Sequence, residues 1–225
     1  MEQETPAFIS KLANEVIAQY LIAEFEALHQ RTQAHEQFIV AKTNFFIALT
    51  TAVLGGLLLL FQQHMDRLVV SMIVVAALLF LVIVGWTVFK QSIDLETSIV
   101  IYYRRAGRIR QWFVDNAPDI ESYIPFTVTD ARPPLYVSYA PLRNLNIIVV
   151  SINAGLITIL GSYILFCFLR ANFSPLVLVS LIIGESIVLF ILMFYLQFRV
   201  HRNHLLAKEQ YEREKGKVHF PYPHQ

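Results

Sequence analysis

Cysteine is almost absent: the 225 residues hold one, Cys167, which excludes an intrachain disulfide and a structural metal site built on thiolates. Charge is scarce too, with Asp, Glu, Lys and Arg at 16% of residues and a net charge of +1. No bulk field therefore draws the chain to nucleic acid. Lys, Arg and Asp are missing altogether from 44–61, 68–89, 147–169 and 176–198. Pro and Gly are missing from 7–43, so nothing there breaks a helix. There is no Gly-rich phosphate loop, no G-x-S-x-G elbow and no H-E-x-x-H helix, and without convergent polar groups no enzyme is expected. The opening "MEQETPAF" lacks the basic and apolar regions of a cleaved signal, so the first apolar stretch is expected to be retained.

What is present is apolar. Hydrophobic residues make up 56% and the mean hydropathy is +0.51, more than a water-soluble domain of this length carries. Each of the four charge-poor stretches matches the roughly 20 residues of helix that cross about 30 Å of hydrocarbon, and only helices satisfy their own backbone there. The expected fold is an all-α polytopic membrane protein. Its four transmembrane helices form two hairpins, turned at "QQHMDR" and "RANFSP". All of the 18 Lys and Arg residues except Arg67 and Arg170 fall outside the spans and tips, on 1–43, 90–146 and 199–225. That bias places both termini and the middle segment in the cytosol, with the spans in the plasma (inner) membrane. The organisation is then 1–43 cytosolic amphipathic helix, 44–89 first hairpin, 90–146 cytosolic helix and Pro-rich return, 147–198 second hairpin, 199–225 cytosolic tail.

The segments outside the spans are themselves patterned. Leu12, Val16, Leu21, Phe25 and Leu28 oppose Glu24, His29, Gln30 and Arg31, an amphipathic helix leading into the first span. After the second span, Leu95, Ile99, Tyr102, Ala106, Ile109 and Phe113 recur at spacings of four and three, a seam of coiled-coil type. Gly107 interrupts it as a weak point. The helix must stop before Pro118, followed by a short helix capped by Asp119 and an extended return containing Tyr136 and Tyr139. The tail continues as helix and stops at "HFPYPHQ". Three such helices pack most simply as a cytosolic bundle, although the seam suits a neighbouring subunit equally well.

Glu185 stands apart, an acid near the middle of the fourth span. A charge at that depth costs about 3 kcal/mol, so it needs protonation, a partner or water. No span holds a basic residue, so no ion pair is available within the membrane. Ser151, Gly155, Thr158 and Ser162 form a small-residue stripe on the third span, and Glu185 comes level with about Leu160, within reach of Thr158, Gly161 or Ser162. The acid either joins two helices by hydrogen bonds or, repeated in an oligomer, lines a cation-favouring path. Asn153 forms a second polar ring or bonds across the helix interface. Comparable stripes, Ala48, Ala52 and Gly56 in span one and Ser180 and Gly184 in span four, mark close-packing faces. No span carries a Pro or Gly break that would unwind its middle, which argues against a secondary transporter.

Arg104, Arg105 and Arg108 offer guanidinium forks to phosphate, whether of a lipid or a nucleotide, and their place beside the membrane favours lipid. His201 and His204 supply half of a metal site with no third ligand at a suitable offset. No cofactor or metal is expected.

The stretches "IYYRRAGRIRQWFVDNAPDIESYIPF" and "HQRTQAHEQFIVAKTNFFIALTTAVLGGLLLL" resemble bacterial small membrane proteins of the octameric RipA-like type. In helix-then-hairpin layout they are also similar to the two-span SLATT effectors of bacterial conflict systems. The resemblance covers about the first 125 residues, and the second hairpin departs from the SLATT pattern. It implies oligomerisation and, on the SLATT side, membrane disruption in answer to a defence or stress signal; it carries over no site residue. The expected function is thus an oligomeric ion-conducting or membrane-perturbing effector controlled by its cytosolic helices, the alternative being a membrane-anchored scaffold. Its expected partners are the lipid bilayer, further copies of the chain and a cytosolic protein, with no nucleic acid.

Overall fold

The computed structural model describes residues 5–63, 66–126, 128–135, 146–170 and 173–215, with side chains from residue 14 onward. Ninety per cent is helix, and no strand occurs among the described residues. In chain order there are α1 (Thr5–Phe61), α2 (Arg67–Asn116), a 3-10 turn at Pro118–Tyr123, α3 (Asn146–Leu169) and α4 (Pro175–Glu214). Each of the four long helices carries a stretch long and apolar enough to cross a membrane. The chain is a multi-pass membrane protein.

The helix ends follow local chemistry. α1 closes when the amides of Gln62 and Gln63 turn to the carbonyls of Leu59 and Leu60, at 3.1 and 3.2 Å, tightening its last turn. Asp66 starts α2, its Oδ1 accepting from the Leu68 amide at 2.9 Å, a side-chain cap for an otherwise orphaned donor. At the other end, Asn116 donates to the Trp112 carbonyl at 2.8 Å, and Pro118 prevents continuation. Pro175 opens α4, where its missing N–H costs nothing. Asp119 is not a cap: Ala117 holds that position without a side-chain bond, and Asp119 lies inside the first turn behind Pro118.

The chain forms two compact units. The first comprises Met1–Gln37, Leu95–Tyr136 and Leu205–Gln225; the second, Phe38–Asp94 and Val137–His204. In the first, Leu28 of α1 packs on Ala106 and Ile109 of α2, with Leu21, Phe25, Tyr102 and Phe113 around them. This part of the seam therefore closes within one chain, on α1, while Leu95 and Ile99 are half-buried beyond that cluster. Val16 departs from the expected face, being 61% exposed. Gly107 is no weak point either. It is buried, and a methyl there would stand 2.5 Å from the Thr129 carbonyl oxygen, so the glycine lets the segment 128–130 lie flush against α2.

The core of the second unit is apolar, built on Phe46, Leu78, Leu81, Phe89, Val149 and Leu156. α2 meets α1 and α3 closely at Gly85, where a side chain would overlap the Asn153 carboxamide and the Phe46 ring. Small residues at such crossings let membrane helices approach. The expected Tyr136–Tyr139 return, Arg143, Lys217, the tail stop and the side chains of Lys11 and Leu12 lie outside the described residues.

Candidate functional site

Glu185 sits on α4 where the helix passes α3. Ser162 Oγ donates to Glu185 Oε2 at 2.8 Å and lies 2.8 Å from Ser186 Oγ. Since the Ser162 hydroxyl has one proton and gives it to the acid, Ser186 is the donor in the second bond. The result is a relay, Ser186 to Ser162 to Glu185. Gly161 makes room for it, because a methyl there would stand 2.9 Å from Glu185 Oε1. The acid is only half-buried by its own chain, and its helix is strongly apolar outside this spot. Only 6% of the apolar window of α4 is covered within the chain, against 28% for α2.

Of the predicted companions, Ser162 bonds Glu185 and Gly161 lies beside it. Thr158 instead donates to the Ala154 carbonyl of its own helix at 2.8 Å, and apart from the backbone of its own turn nothing among the described residues lies within 4 Å of where a Gly155 side chain would begin. Asn153 does not belong to a ring between copies. It is 1% exposed, with Nδ2 donating to Gln197 Oε1 at 3.5 Å and Oδ1 unpaired among the described residues. Its role is a polar contact across the α3–α4 interface. Ser186 and Gln197 were missed by the sequence reading, although Gln197 was legible as a lone amide near the end of the fourth span.

In the first unit the arginines expected to face lipid are largely committed elsewhere. Arg104 is 4% exposed; its Nη2 pairs with Glu209 Oε2 at 2.6 Å and its Nε donates to the Pro133 carbonyl at 3.1 Å. Arg108 Nε pairs with the fully buried Asp130 at 2.6 Å. Buried and donating to protein acceptors, Arg104 has no fork open to lipid phosphate, so its assignment to lipid is corrected; Arg108 gives only its Nε to Asp130 and stays partly exposed, and Arg105 is exposed. Glu209 collects further bonds, accepting also from the Leu135 amide at 3.0 Å and from Arg213 Nε at 2.9 Å. Burial pushes its carboxyl upward, but the Leu135 amide, Arg213 and Arg104 outweigh that and hold it below its ordinary value of 4.5. Charge-assisted bonds to the ionised form act in this direction. Glu209 thereby ties α4 to α2 and to the segment ending at Leu135. Arg104 and Leu135 lie more than seventy residues from it along the chain, which spacing does not reveal.

The two histidines differ in burial, His204 being exposed and His201 not. His201 is 2% exposed, packed 6.3 Å edge-on from Phe89, while His204 Nε2 lies 3.5 Å from Asp94 Oδ1. No group of three metal-ligating side chains gathers among the described residues. The sequence matches no family model, and neither a curated protein nor a solved structure matches it.

Proposed function

We propose that the protein is an oligomeric, ion-conducting or membrane-perturbing effector of the plasma membrane. Its spans form two hairpins, both termini are cytosolic, and the first unit is a cytosolic bundle that controls the spans and docks a partner protein. The observation that carries this reading is Glu185: an acid at mid-span, supplied with a two-serine relay yet only half covered by its own chain. A carboxylate fully satisfied as helix glue has no reason to remain open at that depth. Copies of α4, packed through the apolar surface that one chain leaves uncovered, would bring their Glu185 side chains around a common cation path. The asymmetry of basic charge about the spans, sixteen Lys and Arg against two at the hairpin tips, supports the orientation, and the RipA-like and SLATT-like resemblance supports oligomerisation and a role in defence or stress. The chemistry requires no cofactor and no enzymatic step.

The test is cation flux from liposomes containing wild type or Glu185→Gln, with both checked for equal assembly. Wild type is expected to leak cations and the variant to lose most of that leak. Equal flux in the two would sink the conduction reading.

A second reading, a membrane-anchored scaffold, draws on the first unit. Arg104, Glu209 and Asp130 hold α2, α4 and the segment 128–135 in a fixed arrangement, as a docking surface requires. It predicts partner capture that survives Glu185→Gln.

A further inference from the structure

Arg67 and Arg170, the two basic residues outside the three basic segments, come together at one groove. Arg67 opens α2 and Arg170 follows α3. Both line a depression of about 360 Å³, together with Gln63. That depression shares Ser71, Tyr163 and Cys167 with an adjoining slot of about 480 Å³ between α2 and α3. The slot is walled by Met72, Val75, Ala76 and Leu79 on one side and Ile164 and Phe168 on the other, helical spacings that present a single face of each helix.

Where the two meet, the polar groups are already paired, the Tyr163 hydroxyl donating to Ser71 Oγ at 2.8 Å. A hydrocarbon chain laid there covers a tyrosine hydroxyl whose proton is already given to a partner. The arginines, by contrast, are exposed and form no ion pair among the described residues, Arg170 resting only over the Phe166 ring at 5.9 Å. From Arg67 to Leu79 the groove follows about 18 Å of helix, close to the roughly 15 Å depth of one leaflet's hydrocarbon.

We propose that this groove binds an anionic phospholipid, its phosphate held by Arg67 and Arg170 and one acyl chain lying between α2 and α3. Two guanidiniums match phosphate oxygens in number and geometry. A zwitterionic headgroup would bring its own cation against them, so the site selects for net negative charge. The site is separate from Glu185 and does not depend on conduction.

Cys167 provides the test, being exposed, on the wall of both depressions and the chain's one cysteine. The full-length protein is reconstituted in phosphatidylcholine vesicles with or without phosphatidylglycerol, and Cys167 is labelled with an uncharged maleimide, which surface potential does not concentrate. Phosphatidylglycerol is expected to slow labelling of wild type about tenfold, a preference of about 1.4 kcal/mol. The double variant Arg67→Gln, Arg170→Gln is expected to lose that slowing. Ala76→Trp, which fills the slot and leaves both arginines in place, is expected to label at one rate in both lipids. Inorganic phosphate added to phosphatidylcholine vesicles is expected to change nothing. Equal labelling of wild type in both lipids overturns the proposal, as does slowing that persists in the double variant or in Ala76→Trp. Slowing by inorganic phosphate overturns it too, assigning the arginines to a soluble anion.

Discussion

Single residues carry most of the specificity in the first unit, and Gly107 shows how. Helix propensity alone makes Gly107→Ala stabilising, since Ala is favoured by about 1 kcal/mol in an exposed helix. The added methyl, however, would press on backbone at Thr129, which has no flexible side chain to move aside. The variant is expected to lose about 1 to 3 kcal/mol, read as a lower thermal midpoint in detergent. Glu209 makes the complementary point about charge. Because its folded-state pKa lies below the ordinary 4.5, its bonds stabilise fully above that value and are lost as pH falls through the range beneath it. Melting followed from pH 7 downward should fall in the carboxylate range, and Glu209→Gln should flatten that dependence while lowering stability at neutral pH.

At the scale of helices, the heptad-like seam on α2 finds its partner in α1. Leu28, Ala106 and Ile109 form the buried centre of that contact. Ile109→Asp would place an unpaired carboxylate there, at a cost above about 3 kcal/mol. The first unit is expected to become protease-sensitive while the apolar spans stay protected by the membrane, and limited proteolysis in vesicles reads both together. Retained resistance would mean that the α1–α2 contact contributes little to holding the unit. α4 differs in kind, since its apolar window is nearly uncovered by its own chain; what covers it has to be lipid or another copy.

For the molecule as a whole, that uncovered surface makes assembly the central question. Ala48, Ala52 and Gly56 run along α1 and are exposed, and apart from the backbone of its own turn nothing among the described residues lies within 4 Å of where a Gly56 side chain would begin. Gly56→Leu therefore leaves the interior of one chain untouched. If this stripe joins copies, light scattering in detergent should show wild type at a multiple of 25.9 kDa and the variant at a smaller multiple or as monomer. An unchanged mass would assign the stripe to lipid.

The sequence by itself determined that the chain is helical and crosses a membrane several times. Hydropathy and the absence of Pro and Gly are local properties, and backbone hydrogen bonding in lipid leaves a long apolar segment one solution. It also placed Ser162 within reach of Glu185, because depth along two adjacent spans can be counted from their ends. Tertiary structure alone decided the partners of groups whose contacts lie far along the chain. Arg104 looked like a lipid contact until Glu209 claimed it, and Asp130 took the Nε of Arg108. Asn153 turned inward to Gln197, and Arg67 and Arg170, 103 positions apart in the numbering, met at one groove. A helix face is written in its periodicity, but which face it meets depends on how the other helices pack against it.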